Sequence, residues 1–460
     1  MRPCSVIAGI LLATVSGCQS YRPLALDPAV ELRKAVARDP ECDELRAFSE
    51  RLLTHSDSAI FEPSDGYTLP EAECVALFFN PELRAARLRA GVVAVSARYA
   101  GLWEDPTLSI DAERILRSVD HPWVVGGVLE LTIPIFGRKH LERTHAEALS
   151  DESLAALAAL EWRLLHRLRE SWLRWSAQSM RCAVTRELLE RLEPLESIVA
   201  RLAETGEVSR SEARLLRIER ITRADELSRL EADEAEQRLA LKALIGLVPE
   251  APIELVADLT PPECRAATRD EARAALLARN ADLQVMRAAY DASEAALRLE
   301  VRKQYPDVTL GPGYGEDEAD PRALFRFGLG LPIWNQNRAG IARARAERAA
   351  THAEFTAQME RLLSELEIAE LRLASARARR TNLLSELVPL VDEQYAEIRR
   401  IAELGELDAV LTLESLLRGR EAKQALVAVR LDESLAARRV LELLGPTPTP
   451  RESDKERRQP

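Results

Sequence analysis

Aromatic residues make up only 5% of this 460-residue chain, and histidine occurs six times. No window of about 20 uncharged apolar residues follows the N-terminus, so no membrane-spanning helix is expected, and any insertion into a bilayer must use strands. Positive charge is also in short supply. With 63 Lys and Arg against 75 Asp and Glu the net charge is −12, which argues against nucleic acid as a partner because phosphate contacts need a basic face. The histidines, His55, His121, His140, His145, His166 and His352, are scattered, and His140 and His145 stand five apart and do not share a helix face. No metal site is therefore expected. No glycine-rich phosphate loop and no serine nucleophile elbow occurs, so catalytic residues, a cofactor and an enzymatic activity are unexpected as well. Cys42, Cys74, Cys182 and Cys264 lack close ligand spacing and read as buried small side chains, with a Cys42 to Cys74 bridge left open.

What is abundant is Ala, Leu, Glu and Arg, a mixture that points to long helices or coiled coils. Set among them is a stretch of another kind, Arg322 to Arg338. From Ala323 the apolar residues fall at every second position, Ala323, Phe325, Phe327, Leu329, Leu331 and Ile333, against Arg322, Arg326, Gly328 and Gly330, a strand with one apolar face. The same event occurs at Val124 to Gly137, where Gly127, Leu129, Leu131 and Ile133 alternate with Val128, Glu130 and Thr132. Pro134 and Pro332 close the two copies. That spacing of about 200 recurs in order: Asn80 with Asn280, Pro106 with Pro306, Gly206 with Gly405, and Gly246 with Gly445. The chain is an internal duplication.

The fold expected is mainly α with a small β part, a duplicated helix-strand-strand-helix-helix unit. In the first copy a helix from Leu69 to Leu102 breaks near Pro81, strands follow at Thr107–Arg114 and up to Ile133, and a helical register runs from Gly137 to about Glu204. At 1.5 Å per residue that rod is roughly 100 Å long, bent by Pro194. Thr205 to Ser209 reverses the chain, and a return helix reaches about Leu247. The second copy reads as one helix from Arg269 to about Lys303, a strand from Pro306 to Tyr314, an acidic turn from Gly315 to Asp320, a strand to Ile333 and a long helix kinked by Pro389. Its heptad seam is Phe355, Met359, Leu362, Leu366, Ala369, Leu373 and Ala376. It turns at Leu404 to Asp408 and returns over Leu411 to Leu444. Arg2, the apolar run Val6 to Val15 and Val15-Ser16-Gly17-Cys18 read as a secretory signal ending in a lipobox-like site, with Cys18 as the residue to be acylated. The expected organisation is a signal peptide over 1–17, a tether over 18–68 with a short helix from Pro40 to Leu53, a first repeat over 69–247, a linker over 248–268, a second repeat over 269–445 and a disordered tail over 446–460.

Four strands of about ten residues are long enough to cross an outer membrane within a barrel, but four cannot close one. Here the chain resembles the TolC-type outer-membrane factor family, the exit ducts of tripartite efflux and type I secretion systems. The resemblance covers roughly residues 69 to 445. It rests on the duplicated strand pairs, on Leu331 to Ile341 (Leu-Pro-Ile-Trp-Asn-Gln-Asn-Arg-Ala-Gly-Ile) with its partner Ile133 to Arg138, and on the reversals at Glu204 to Ser209 and Glu403 to Asp408. It implies a homotrimer whose twelve pooled strands form an outer-membrane barrel. The helices would then form a periplasmic tunnel whose tips meet an adaptor protein and, through it, an inner-membrane pump. The run Pro332 to Ile341 is most similar to the heavy-metal-efflux branch, with drug, solvent or protein export as the alternatives. A periplasmic adaptor would carry one hairpin set in β-rich domains, and a structural coiled-coil protein would lack the strand pairs.

On this reading Gly206 and Gly405 allow tight tips for adaptor docking. Glu207, Glu403, Glu406 and Asp408 either ring an aperture, where threefold repetition would attract cations, or cap and solvate the turns. Asp111, Glu113, Glu130 and Arg326, opposite the apolar rows, are expected to face the barrel lumen.

Overall fold

Capping chemistry starts the repeats. In the computed structural model, which describes residues 21–53, 65–114, 116, 123–263, 268–317, 320–404, 406 and 408–446, the backbone N–H of Thr68 donates to the Glu71 carboxylate at 2.8 Å. Thr268 does the same to Glu271 at 2.8 Å. Each pair satisfies a donor that a helix start would otherwise leave orphaned. Cys18 with its signal peptide, His55, His121, Cys264, Gly405 and the tail from 447 lie outside the described residues.

Residues up to Asp39 are a unit of their own, in which a helix the sequence reading had not drawn, α1 (Pro28–Val36), is capped by Asp27. The second unit starts at Pro40, and its first helix, α2, covers Asp43–Leu53. The first repeat follows: α3 (Leu69–Phe79), α4 (Pro81–Arg98), β1 (Thr107–Arg114), β2 (Trp123–Ile133), α5 (Arg138–Thr205) and α6 (Arg210–Ile245). The second is α7 (Arg269–Arg279), α8 (Ala281–Arg302), β3 (Val308–Asp317), β4 (Asp320–Leu329), α9 (Arg338–Asn382), a π-helical turn (Leu383–Leu387), α10 (Val388–Glu403) and α11 (Ala409–Leu444).

Several boundaries differ from expectation, each for a local reason. The helix drawn through Arg269 to Lys303 is two, because the Asn280 side chain caps α8 by accepting from the Leu283 N–H at 3.1 Å. Asn80 does likewise for Leu83 at 3.0 Å. Gly315, Glu316 and Asp317 are not turn but the end of β3, paired with Arg322, Pro321 and Asp320. β4 stops at Leu329 rather than Ile333, ahead of Pro332, which has no N–H to give a ladder. Pro194 sits inside an unbroken 68-residue α5, whereas Pro389 is preceded by the π turn. A proline ring crowds the carbonyl four residues back, and widening the turn relieves it.

The two repeats are tied shut by the same device. Asn80 donates to the Leu244 carbonyl at 2.8 Å and Asn280 to the Leu443 carbonyl at 2.9 Å, pinning the return helix of each repeat to its first break. Gly246 and Gly445 end those helices at φ of 89° and 78°. A Cβ on Gly246 would lie 2.7 Å from the Phe79 carbonyl, and one on Gly445 would collide with that of Arg279. Trp172, Leu168, Ile245 and Val75 fill the core of the first repeat; Leu366, Leu276, Leu283 and Leu443 fill that of the second. The described part of the linker, residues 248–263, is packed. Leu255 bridges to Tyr67, Ala251 and Ile253 join the first core, and the Leu259 carbonyl accepts from Ser434 at 2.9 Å. Cys42, Cys74 and Cys182 are free thiols, Cys74 and Cys182 buried.

Candidate functional site

The four strands form one antiparallel sheet in chain order, and the register decides which side chains share a face. Leu108 pairs with Leu129, Ile110 with Gly127, Leu310 with Leu131 and Phe327, and Pro312 with Phe325. One face is thus apolar from edge to edge apart from Arg114 and Glu316 at its end away from the helices, and it is open: Ile110 and Phe325 are each 70% exposed and Tyr314 66%. The other face carries Ser109, Asp111, Glu113, Glu130, Thr132, Thr309, Arg322 and Arg326. All four residues expected in a lumen, Asp111, Glu113, Glu130 and Arg326, stand on this second face.

Two of them meet. Glu130 and Arg326 form an ion pair although β3 lies between their strands. The register sets Glu130 opposite Gly311, and Gly311 pairs with Arg326. A Cβ at Gly311 would lie 3.1 Å from the Arg326 Cβ and 2.8 Å from Val128. Because glycine stands there, the two long side chains cross the strand, and Val128 tucks in beside them at 4% exposure. Gly313 repeats the arrangement, with a Cβ at 2.8 Å from Val128. Sequence reasoning missed this pair. Its signal was the alternation of Gly311, Gly313 and Gly315, which strips side chains from one face of β3. Asp111 and Glu113 lie on β1, with two strands between them and Arg326, and are exposed.

At the end of the sheet where the helices begin, aromatics gather. Trp103 precedes β1, Trp334 follows β4 at 89% exposure, and Phe136 and Tyr305 stack with ring centres 5.2 Å apart.

The helix reversals lie at the far ends of α5 and α10. Gly206 stops α5 at φ 84° with open space around its missing Cβ. Glu207 accepts from the Thr205 hydroxyl at 3.1 Å, and Glu403 pairs with Arg399 at 3.0 Å. Asp408 caps α11 by accepting from the Leu411 N–H at 2.9 Å; Glu406 is exposed. Three of the four candidate aperture carboxylates therefore have a partner in their own turn. Behind the tips, Leu192, Leu195, Leu216 and Leu413 join the two hairpins. Lys423 bonds Glu187 at 2.7 Å and holds that carboxyl below the usual range, and Arg420 pairs with Glu226. Among the described residues no group of His, Cys, Asp or Glu is arranged to hold a metal ion.

No protein-family profile matches the chain. No curated protein matches it either. Solved structures do. CusC, described with its conformational changes on folding and transmembrane channel formation, aligns at 16% identity over 82% of this chain and 92% of its own, with a TM-score of 0.69. The CmeC outer membrane channel of Campylobacter jejuni aligns at 13% identity over 95% and 97%, also at 0.69. The outer membrane protein VceC of Vibrio cholerae aligns at 16% identity over 82% and 96%, at 0.68. At these identities the likeness is one of fold. The fold of this chain is that of the TolC-type outer-membrane factors.

Proposed function

We propose that three copies of this chain close a twelve-stranded barrel in the outer membrane and that their helices continue it as a periplasmic tunnel, the whole acting as a passive exit duct of an efflux system. The observation that carries this reading is the sheet. Its four strands leave β1 and β4 as bare edges, and its open face is apolar across every strand. An apolar face that large is unstable in water, and an unpaired edge invites another strand. Both needs are met if edges pair between copies and the apolar face meets lipid. Strands of 8 to 11 residues suit an apolar band of about 25 Å, and the aromatics at the helix end suit its interface. Asp111, Glu113, Glu130 and Arg326 then line the lumen, Gly206 and Gly405 form tips for an adaptor protein coupled to a pump, and lipid on Cys18 adds an anchor. We assign the cargo to divalent heavy-metal cations, on the run Pro332 to Ile341. Drug or solvent export is the second class, and a duct has no need of a tight cargo site in either case.

The test uses the full-length chain extracted in detergent. A trimer that conducts ions in planar bilayers is expected, with cation preference reduced when Glu406→Gln and Asp408→Asn are combined. Asn caps a helix as well as Asp, so the double variant removes charge and keeps the turn. A monomer that stays in solution without detergent would refute the duct. Unchanged selectivity would leave the tip carboxylates as turn residues only.

A further inference from the structure

The helices next to the sheet are ordered as its strands are. α4 leads into β1, β2 into α5, α8 into β3 and β4 into α9, and α4 packs on α5, α5 on α8, and α8 on α9. The layer therefore has two outer helices, α4 and α9, each continuous with one of the two bare strands.

Each outer helix turns an apolar stripe away from its inner neighbour. On α4, the residues packed inward are Leu83, Ala90 and Ala97, one every two turns. On the opposite side Ala85, Leu88, Val92, Val95 and Tyr99 step by three and four in strict alternation, and the last four are 57 to 67% exposed. On α9, Ala339, Ala342, Ala346, Ala349 and Ala353 take the same steps, and all are exposed. Steps of three and four mark a seam where one helix packs along another. One seam is bulky and the other is flat, so bulk on the first can sit over methyl groups on the second, allowing close approach of the axes. Both stripes span 15 residues, about 21 Å from first to last, and both begin within about ten residues of the edge strand.

We propose that the α4 stripe of one copy packs antiparallel against the α9 alanine stripe of the next, with Tyr99 over Ala339, Val92 over Ala346 and Ala85 over Ala353. This rests on the trimeric duct and names the surface that closes its helical layer. The contact is head-to-tail, and three repeats of it bring the first α4 back to the last α9, the condition for a ring rather than a filament. The direction agrees with the strands: β1 and β4 run oppositely, so the same step around the ring pairs both edges antiparallel. The exposed positions nearest both stripes include Arg84 and Arg89 on one and Arg338, Arg343 and Arg345 on the other, with Glu347 and Glu354 farther round α9. Arginine thus faces arginine along much of the seam, and apolar contact carries it.

The experiment is disulfide trapping in the full-length protein in detergent or membranes. Chains carrying Val92→Cys are mixed during folding with chains carrying Ala346→Cys, and mild oxidation should give a covalent dimer between the two that neither variant gives alone. The double variant should give dimers and trimers on a denaturing gel. Ala94→Cys with Glu347→Cys, exposed but off the stripes, should give neither. A trimer by native mass measurement in which Val92→Cys and Ala346→Cys do not cross-link would overturn the seam and leave the duct standing. A monomer would overturn both.

Discussion

At the scale of single residues, His166 shows what a one-dimensional reading hides. It is 6% exposed on α5, edge-on to Trp162 at 4.5 Å, with Arg169, Arg438 and Arg439 facing it. Burial, and then those three cations, push its pKa from 6.5 down to about 3. The folded chain thus keeps His166 neutral where the unfolded chain would bind a proton. Its contribution is intact above pH 6.5 and is lost as pH falls from 6.5 toward 3, at about 1.4 kcal/mol per pH unit. Thermal unfolding of His166→Gln should accordingly lose part of the fall in melting temperature that the parent protein undergoes between pH 7 and 5. From the sequence the histidines read as scattered and without a shared ligand face. That this one is sealed was not legible, because α5 packs against α4, α6, α8 and α11 on different sides and no single apolar stripe marks its interior. The Glu130 and Arg326 pair was hidden for a related reason: charge alternation gave the face, but only the register puts Gly311 between them.

At the scale of elements, what was legible depended on whether a break is written by backbone chemistry or by side-chain bonding. The break after Asn80 was visible because Pro81 follows it. The equivalent break at Asn280 is followed by Ala281 and was read through, although the same cap and the same bond to a return helix are present. Equal function predicts equal cost. Asn80→Ala and Asn280→Ala should each destabilise by about 1 to 3 kcal/mol, since each leaves a helix N–H and a return-helix carbonyl without its partner. Asn280→Asp should restore the cap but not the bond to Leu443, and so fall between. Denaturant midpoints of the three variants decide this. The two long rods also differ where the repeat pattern implied likeness. Just ahead of its π turn, the second rod holds the buried carboxylate of Glu433 between Arg377, at 3.5 Å, and Arg380, at 2.6 Å. No charge of that kind is legible as buried from a heptad count, because Glu433 lies beyond the seam the heptads trace.

At the scale of the molecule, the four strands read from alternation are the four of the observed sheet, and the duplication was plain from spacing alone. The role of residues 248–263 was not. Their prolines marked a linker, and its residues lie against both repeats: the Asp258 N–H donates to Ser176 of α5 at 3.1 Å, and Ser434 of α11 reaches Leu259. Covalent continuity past this segment is then not what keeps the halves together. Genes encoding residues 1–265 and, behind a second secretory signal, 266–460, expressed in one cell, should yield two polypeptides that co-purify as an intact particle, whereas deleting 251–259 from the first should scatter them. A wedge of this sort also couples the two hairpins: to move one against the other, the bonds of this peptide to Ser176 or Ser434 must first break.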